Sequence, residues 1–88
     1  MMLGRLSFLR AGDYAHIRIG NDPEVTLLCR VVQMVIGNDG TRCVIVEQTL
    51  SREAKAASRK PYWWAFEMST GLCPYDERLH LWPLLPPA

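Results

Sequence analysis

The sequence has 88 residues, of which 49% are hydrophobic and 22% charged, and its formal net charge is +1. A chain of this length builds one core and has no room for a large enclosed active site. The near-neutral charge gives no global electrostatic reason to expect nucleic-acid binding, and no apolar run reaches the roughly 18 residues that cross a bilayer. Because the start also lacks a signal-peptide pattern, we expect a single cytoplasmic domain over residues 1–88.

The first strand is predicted directly after a lead-in over residues 1–11. From Asp13 to Ile19 the sequence DYAHIRI alternates between apolar and polar side chains, which is typical of a half-buried strand. The turn-forming sequence GNDP at 20–23 then ends the strand, because proline cannot donate to a sheet ladder. The inward face is predicted to carry Ala15, Ile17 and Ile19, and the outward face Tyr14, His16 and Arg18.

A β-hairpin is predicted over the next part of the chain. EVTLLCRVVQMVI at 24–36 is rich in β-branched residues, which favour a strand over a helix. A strand of this length in a small protein is expected to bend. GNDG at 37–40 follows, with a glycine at each end to supply positive φ, and TRCVIVEQTL at 41–50 runs back.

The segment SREAKAASRK at 51–60, called here the basic insert, changes in character. Ser51 suits a helix N-cap and a proline follows the segment. Ten residues are marginal as a helix, so the sequence leaves open a short helix packed on the body or a mobile loop. Four basic residues oppose one acidic residue in this insert: Arg52, Lys55, Arg59 and Lys60.

The alternating sequence YWWAFEMS at 62–69 predicts another strand, in which two adjacent tryptophans must point to opposite faces. The face predicted to enter the core carries Tyr62, Trp64, Phe66 and Met68. The face predicted to meet solvent carries Trp63, Ala65, Glu67 and Ser69.

The remainder of the chain is predicted to complete the core. LCPY is expected to form a short strand and DERL at 76–79 a single helical or 3₁₀ turn. Leu79, Leu81 and Trp82 are expected to close the core, and the proline-rich residues 83–88 to form a tail. The total is about five short strands with one helical insert, and a small closed or nearly closed barrel hides their edges best.

This layout resembles small Src-homology-3-like barrels, in style closest to KOW and Tudor-like modules. The resemblance covers residues 12–82 and is carried by the opening GDYAHIRI, the long bent second strand, the hairpin, the aromatic strand WWAFEMSTG and the turn before ERL. It is one of pattern, and no functional residue of those modules matches a position here. A helix between the third and fourth strands is also the place where the oligonucleotide/oligosaccharide-binding fold carries its helix, so that fold is the alternative.

The sequence predicts no catalytic centre, metal site or cofactor. Three cysteines without paired spacing argue against a disulfide framework, and there is no phosphate-binding loop, nucleophile elbow or dinucleotide fingerprint. His16 is expected at the surface and His80 partly buried. Cys73 and His80 are too few to form a metal site on their own.

Trp63 is the residue that packing does not explain, and three interpretations compete. The basic insert or the C-terminal prolines cover it, or it anchors a protein contact, or it stacks a nucleic-acid base. We predict a non-catalytic binding or adaptor module that contacts a protein, a second copy included, and no membrane or small-molecule substrate. The alternative is a nucleic-acid-binding barrel, and both use Trp63, Arg52, Lys55, Arg59 and Lys60.

Overall fold

The computed structural model describes residue 6 and residues 9–20 and 26–84. The predicted turn at 20–23 and the proline-rich tail at 83–88 lie partly outside these residues. The described chain forms strands and one short helix: β1 (Tyr14–Ile19), β2 (Thr26–Ile36), β3 (Arg42–Gln48), α1 (Arg52–Ala56), β4 (Trp63–Glu67), β5 (Leu72–Cys73) and β6 (Asp76–Pro83).

The strands form one antiparallel sheet that curls into a nearly closed barrel. Their order is β4-β3-β2-β1-β6-β5, so the first four strands are consecutive neighbours and β6 returns to pair with β1. The two outer strands, β4 and β5, contact each other. The Tyr75 hydroxyl, in the turn after β5, accepts a hydrogen bond of 3.0 Å from the Ala65 backbone N–H on β4. The prediction of a mainly β barrel with one short helix is therefore confirmed, with six strands rather than five.

The additional strand is β6, and it replaces the helical turn predicted at 76–79. Ile17 pairs with Leu81 and Ile19 with Leu79 across the β1–β6 ladder. Burying these two leucines in an extended ladder outweighs the local preference of Asp-Glu-Arg for a helical turn. Trp82 consequently faces outward and is half-buried, with its ring 4.2 Å from the Arg18 guanidinium carbon, so its prediction as a core residue is wrong.

Strand β2 bends as the sequence predicts. Residues 26–30 pair with β1, and residues 29–36 pair with β3. The register shifts between Val31 and Gln33, so Val32 is an extra residue of the kind that bends a strand and increases its twist. In the hairpin turn that follows, Gly40 has the expected positive φ of 84° and Gly37 does not.

The core draws on the N-terminal lead-in, which the sequence analysis left outside it. The Leu6 N–H donates to the Met68 carbonyl at 3.0 Å, and the Gly12 N–H donates to the Val31 carbonyl at 2.8 Å. This segment therefore connects the end of β4 to β2. The buried residues are Leu6, Leu9, Ala15, Ile17, Cys29, Val31, Val44, Val46, Phe66, Cys73, Leu79 and Leu81.

Candidate binding surface

The two tryptophans of β4 diverge as predicted. Trp63 is 54% exposed, whereas Trp64 is half-buried and packs against the core beside the fully buried Phe66. The assignment of Tyr62 to the core is wrong: Tyr62 lies just before β4, where its carbonyl still accepts from the Gln48 N–H at 2.8 Å, but its side chain is exposed. Tyr62 is 67% exposed, and its ring centroid stands 6.1 Å from that of Trp64.

Trp63 is about half exposed with the basic insert in place, so the insert does not enclose it as the first interpretation requires. The C-terminal prolines Pro86 and Pro87 lie outside the described residues. That these prolines cover Trp63 therefore stays a prediction. An exposed tryptophan therefore remains on the outer face of an edge strand.

The strand register aligns Trp63 with three other side chains across the outer face of the sheet. Trp63 is opposite Glu47 on β3, Glu47 is opposite Arg30 on β2, and Arg30 is opposite Tyr14 on β1. Neighbouring strands lie about 4.8 Å apart, so this set, called here the Trp63 row, is roughly 14 Å long. Directly opposed residues share one face of a sheet, which places the four side chains side by side.

Arg30 is held in a defined orientation within the row. Its Nε donates to the Gly12 carbonyl at 3.4 Å, and its guanidinium carbon lies 5.7 Å from the Tyr14 ring centroid. A cation over an aromatic face at this distance is attracted by the ring quadrupole. The ring contact and the carbonyl together favour one orientation of the guanidinium, and its other N–H groups donate to no described residue.

A cleft with a volume of about 270 Å³ lies between this outer face and the basic insert. We call it the α1 cleft. Its walls come from β1, β2, β3, the segment that follows β3, α1 and the segment between α1 and β4. It is lined by Tyr14, Arg30, Val32, Glu47, Gln48, Thr49, Leu50, Lys55 and Pro61.

The helix that carries Lys55 is a single capped turn. Ser51 Oγ accepts from the Ala54 N–H at 3.1 Å, as expected of an N-cap. At the other end Ser58 adopts a left-handed φ of 59°, and the N–H groups of Ser58 and Arg59 donate to the carbonyls of Lys55 and Ala54. This is the hydrogen-bond pattern of a Schellman motif, with serine at the position that glycine usually occupies.

The four predicted cations do not all line one depression. Lys55 lines the α1 cleft, whereas Arg59 and Lys60 line a neighbouring depression of about 290 Å³, which shares Gln48, Thr49 and Leu50 with the cleft and also contains Tyr62. Arg52 opens α1 and lines neither depression. All four are exposed, and none forms an ion pair with a described residue. The one ion pair among the described residues joins Arg78 to Asp76.

Of the residues considered for catalysis, the two histidines lie on the outer face of the sheet and Cys73 lies in the core. His16 lies on the outer face of β1, where its Nε2 accepts from Arg18 Nε at 3.3 Å. Partial burial, and then the Arg18 charge, lower the pKa of His16. Cys73 is buried in the core, and His80 is half-buried on β6 opposite Arg18. Within residues 6, 9–20 and 26–84 there is no group of three potential metal ligands.

Sequence reasoning missed Tyr14, Arg30 and Glu47 as parts of a site. The alternation of DYAHIRI does place Tyr14 outward, but only the pairing register shows that it shares a row with Trp63. The hint in the sequence is Arg30 itself, a charged residue inside a mainly apolar strand.

Comparison with known proteins adds no family to this description. No protein-family model matches the sequence, and no curated protein or solved structure is significantly similar to it. Among the described residues, no helix is long and apolar enough to cross a membrane.

Proposed function

We propose that this protein is a non-catalytic binding module that contacts a protein partner through Trp63 and the basic insert. The observation that carries the proposal is the 54% exposure of Trp63 beside a tryptophan that packs on the core. A buried tryptophan removes about 150–250 Å² from water, so covering its exposed half would bury roughly 80–135 Å². At about 25 cal/mol per Å² this contributes about 2–3 kcal/mol to a complex.

The barrel is proposed to be of the Src-homology-3-like type. The support is the strand order, in which four consecutive strands form a meander and the last long strand returns to β1. The helical turn at 76–79 no longer contributes to this preference, because those residues belong to β6.

A nucleic-acid-binding barrel is the second candidate, because Arg52, Lys55, Arg59 and Lys60 have no described acidic partner. Two features favour a protein over a nucleic acid. Glu47 is directly opposite Trp63, so a phosphate chain beside a stacked base would meet a carboxylate. The cations also line no single groove, because Lys55 lines the α1 cleft, Arg59 and Lys60 line the neighbouring depression and Arg52 lines neither, which disfavours a continuous phosphate track.

The test compares wild type with Trp63→Ser, using Ile36→Ser as the matched control. Ile36 is 69% exposed near the tip of the β2–β3 hairpin, so its substitution also removes an exposed apolar side chain from a strand. Iodide should quench tryptophan emission in wild type, and less in Trp63→Ser. A protein contact predicts a complex or dimer that survives 0.5 M salt in sizing coupled to light scattering, and that Trp63→Ser alone removes.

Two results would reject the proposal. The first is a complex that both serine variants retain, which would place the contact elsewhere. The second is binding to single-stranded oligonucleotide with an affinity that falls with salt at a log–log slope of about −2 to −4, which would favour the nucleic-acid candidate.

A further inference from the structure

We propose that the α1 cleft receives an acidic side chain from an extended peptide segment of the partner, with Arg30 and Lys55 as its cationic contacts. The inference rests on the proposed function, because it names the chemistry of the partner at the same surface. Arg30 reaches the cleft from β2 and Lys55 reaches it from α1, so the two cations approach from different elements.

Neither cation of the cleft is held in an ion pair within the described residues. Neither Arg30 nor Lys55 has a described carboxylate within ion-pair distance, although Glu47 lines the same cleft. Arg30 already contacts the Tyr14 ring and the Gly12 carbonyl, so part of its side-chain freedom is lost before a ligand binds. An oriented guanidinium is well suited to a carboxylate, which it can contact through two parallel N–H groups.

The size of the cleft and the presence of Glu47 restrict the ligand further. A volume of about 270 Å³ lies below the usual range for small-molecule pockets and suits a side chain with a short length of backbone. Glu47 repels a doubly charged phosphate more strongly than a single carboxylate. It can instead accept from a peptide N–H, a donor that a nucleic-acid backbone lacks.

The Trp63 row also predicts a spacing. Trp63 and Arg30 are two strands apart, which is about 10 Å. Three residues of a peptide in the extended polyproline II conformation rise about 9 Å and return the side chain to the same face. A peptide that crosses the strands would therefore place an apolar residue on Trp63 and an acidic residue, three positions away, at Arg30 and Lys55.

The test is selection of a displayed library of random ten-residue peptides on wild-type protein. Trp63→Ser serves as the reference that lacks the anchor. We expect enriched sequences with an acidic residue three positions from an apolar one. On Arg30→Gln and Lys55→Gln the acidic preference should be lost while the apolar preference remains. Arg18→Gln is the matched control, since Arg18 also stacks on an aromatic ring of the outer face but does not line the cleft.

Fluorescence anisotropy with one selected peptide then gives the magnitude. Replacing its acidic residue by the corresponding amide should weaken binding to wild type about tenfold, the effect of one hydrogen bond to a charged group. The same replacement should have little effect on Arg30→Gln or Lys55→Gln. Lys55 is exposed on the surface of α1, so Lys55→Gln keeps the test valid if Arg30→Gln does not fold.

The outcomes separate this inference from the function on which it rests. No enrichment over Trp63→Ser rejects both. Enrichment without an acidic preference, or an acidic preference that survives both glutamine variants, overturns the cleft assignment and leaves the binding module standing. Tighter binding of a phosphoserine version of the peptide assigns the cleft to phosphate instead. Displacement of the peptide by a fifteen-residue oligothymidine overturns the peptide ligand in favour of nucleic acid.

Discussion

Removing the hydroxyl of Tyr75 should weaken the place where the barrel closes. The Ala65 N–H points away from β3 and donates to this hydroxyl at 3.0 Å, which joins β4 to the turn after β5. Tyr75→Phe keeps the ring and removes the acceptor. A hydrogen bond of this kind contributes about 0.5–1.5 kcal/mol, and water can replace it at an edge strand, so we expect a loss of about 0.5–1 kcal/mol.

Urea unfolding measures the change, and amide hydrogen exchange locates it. A loss of this size corresponds to roughly 2–8 °C in the melting temperature of a domain of this length. Exchange protection should fall at the Ala65 amide and stay high at Trp64 and Phe66, whose N–H groups point toward β3 by the alternation of an antiparallel ladder.

Tyr62→Phe is the matched control for this experiment. Tyr62 is 67% exposed and Tyr75 65%, and the Tyr62 hydroxyl forms no hydrogen bond with a described residue. If Tyr75→Phe leaves both the free energy of unfolding and the Ala65 protection unchanged, the hydroxyl does not help to close the barrel. An equal loss in the two phenylalanine variants would also contradict the reasoning.

Four further predictions follow from burial, backbone geometry and titration. Leu6→Ala should lower the free energy of unfolding by about 2–5 kcal/mol in urea titration, because Leu6 is fully buried. Ser58→Gly should raise the melting temperature by relieving a left-handed φ, with a gain of up to about 1 kcal/mol, and Ser58→Ala should not. Burial lowers the pKa of His16 below its unfolded value of 6.5, so the contribution of His16 to stability is complete above pH 6.5 and decreases as the pH falls. The substitution His16→Gln should reduce this loss of stability at low pH, as measured by urea titrations at several pH values. Burial raises the pKa of the Cys29 thiol to about 12, so iodoacetamide at pH 8 should label the half-buried Cys43 before Cys29, as read by mass spectrometry.

The parts of the fold that sequence predicts well here are those with local causes. Strand alternation depends only on the backbone, so Trp63 is placed outward and Phe66 inward without knowledge of the neighbouring strands. The prediction that Tyr62 enters the core is wrong because Tyr62 lies just before the first residue of β4, at the end of the sheet, where its side chain is exposed. Element boundaries depend on where pairing stops, and the sequence of one strand does not contain that information.

The parts that sequence does not predict depend on contacts between distant segments. Residues 76–79 are extended because Leu79 pairs with Ile19 on β1, some 60 positions earlier in the chain. The Trp63 row requires three strand registers at once, one of which contains a bulge. A shift of one residue in any of them would send at least one of the four side chains to the opposite face. Of the predicted site residues, Trp63 belongs to the Trp63 row and Lys55 lines the α1 cleft. Arg59 and Lys60 line the neighbouring depression that contains Tyr62.

The interior of the barrel is filled by side chains, so a ligand can bind only at the outer surface. Ile17, Val44, Val46, Phe66 and Leu81 are completely buried, so the barrel is packed with its own side chains. A small barrel of this kind gains binding capacity by adding features to its outer face. In the proposed mode of binding, one turn of α1 supplies one wall and one cation of a cleft that the sheet alone does not form. Substitutions that unfold α1 and leave the barrel intact should therefore abolish acidic recognition while keeping the contact at Trp63, because the two halves of the proposed site belong to different structural elements.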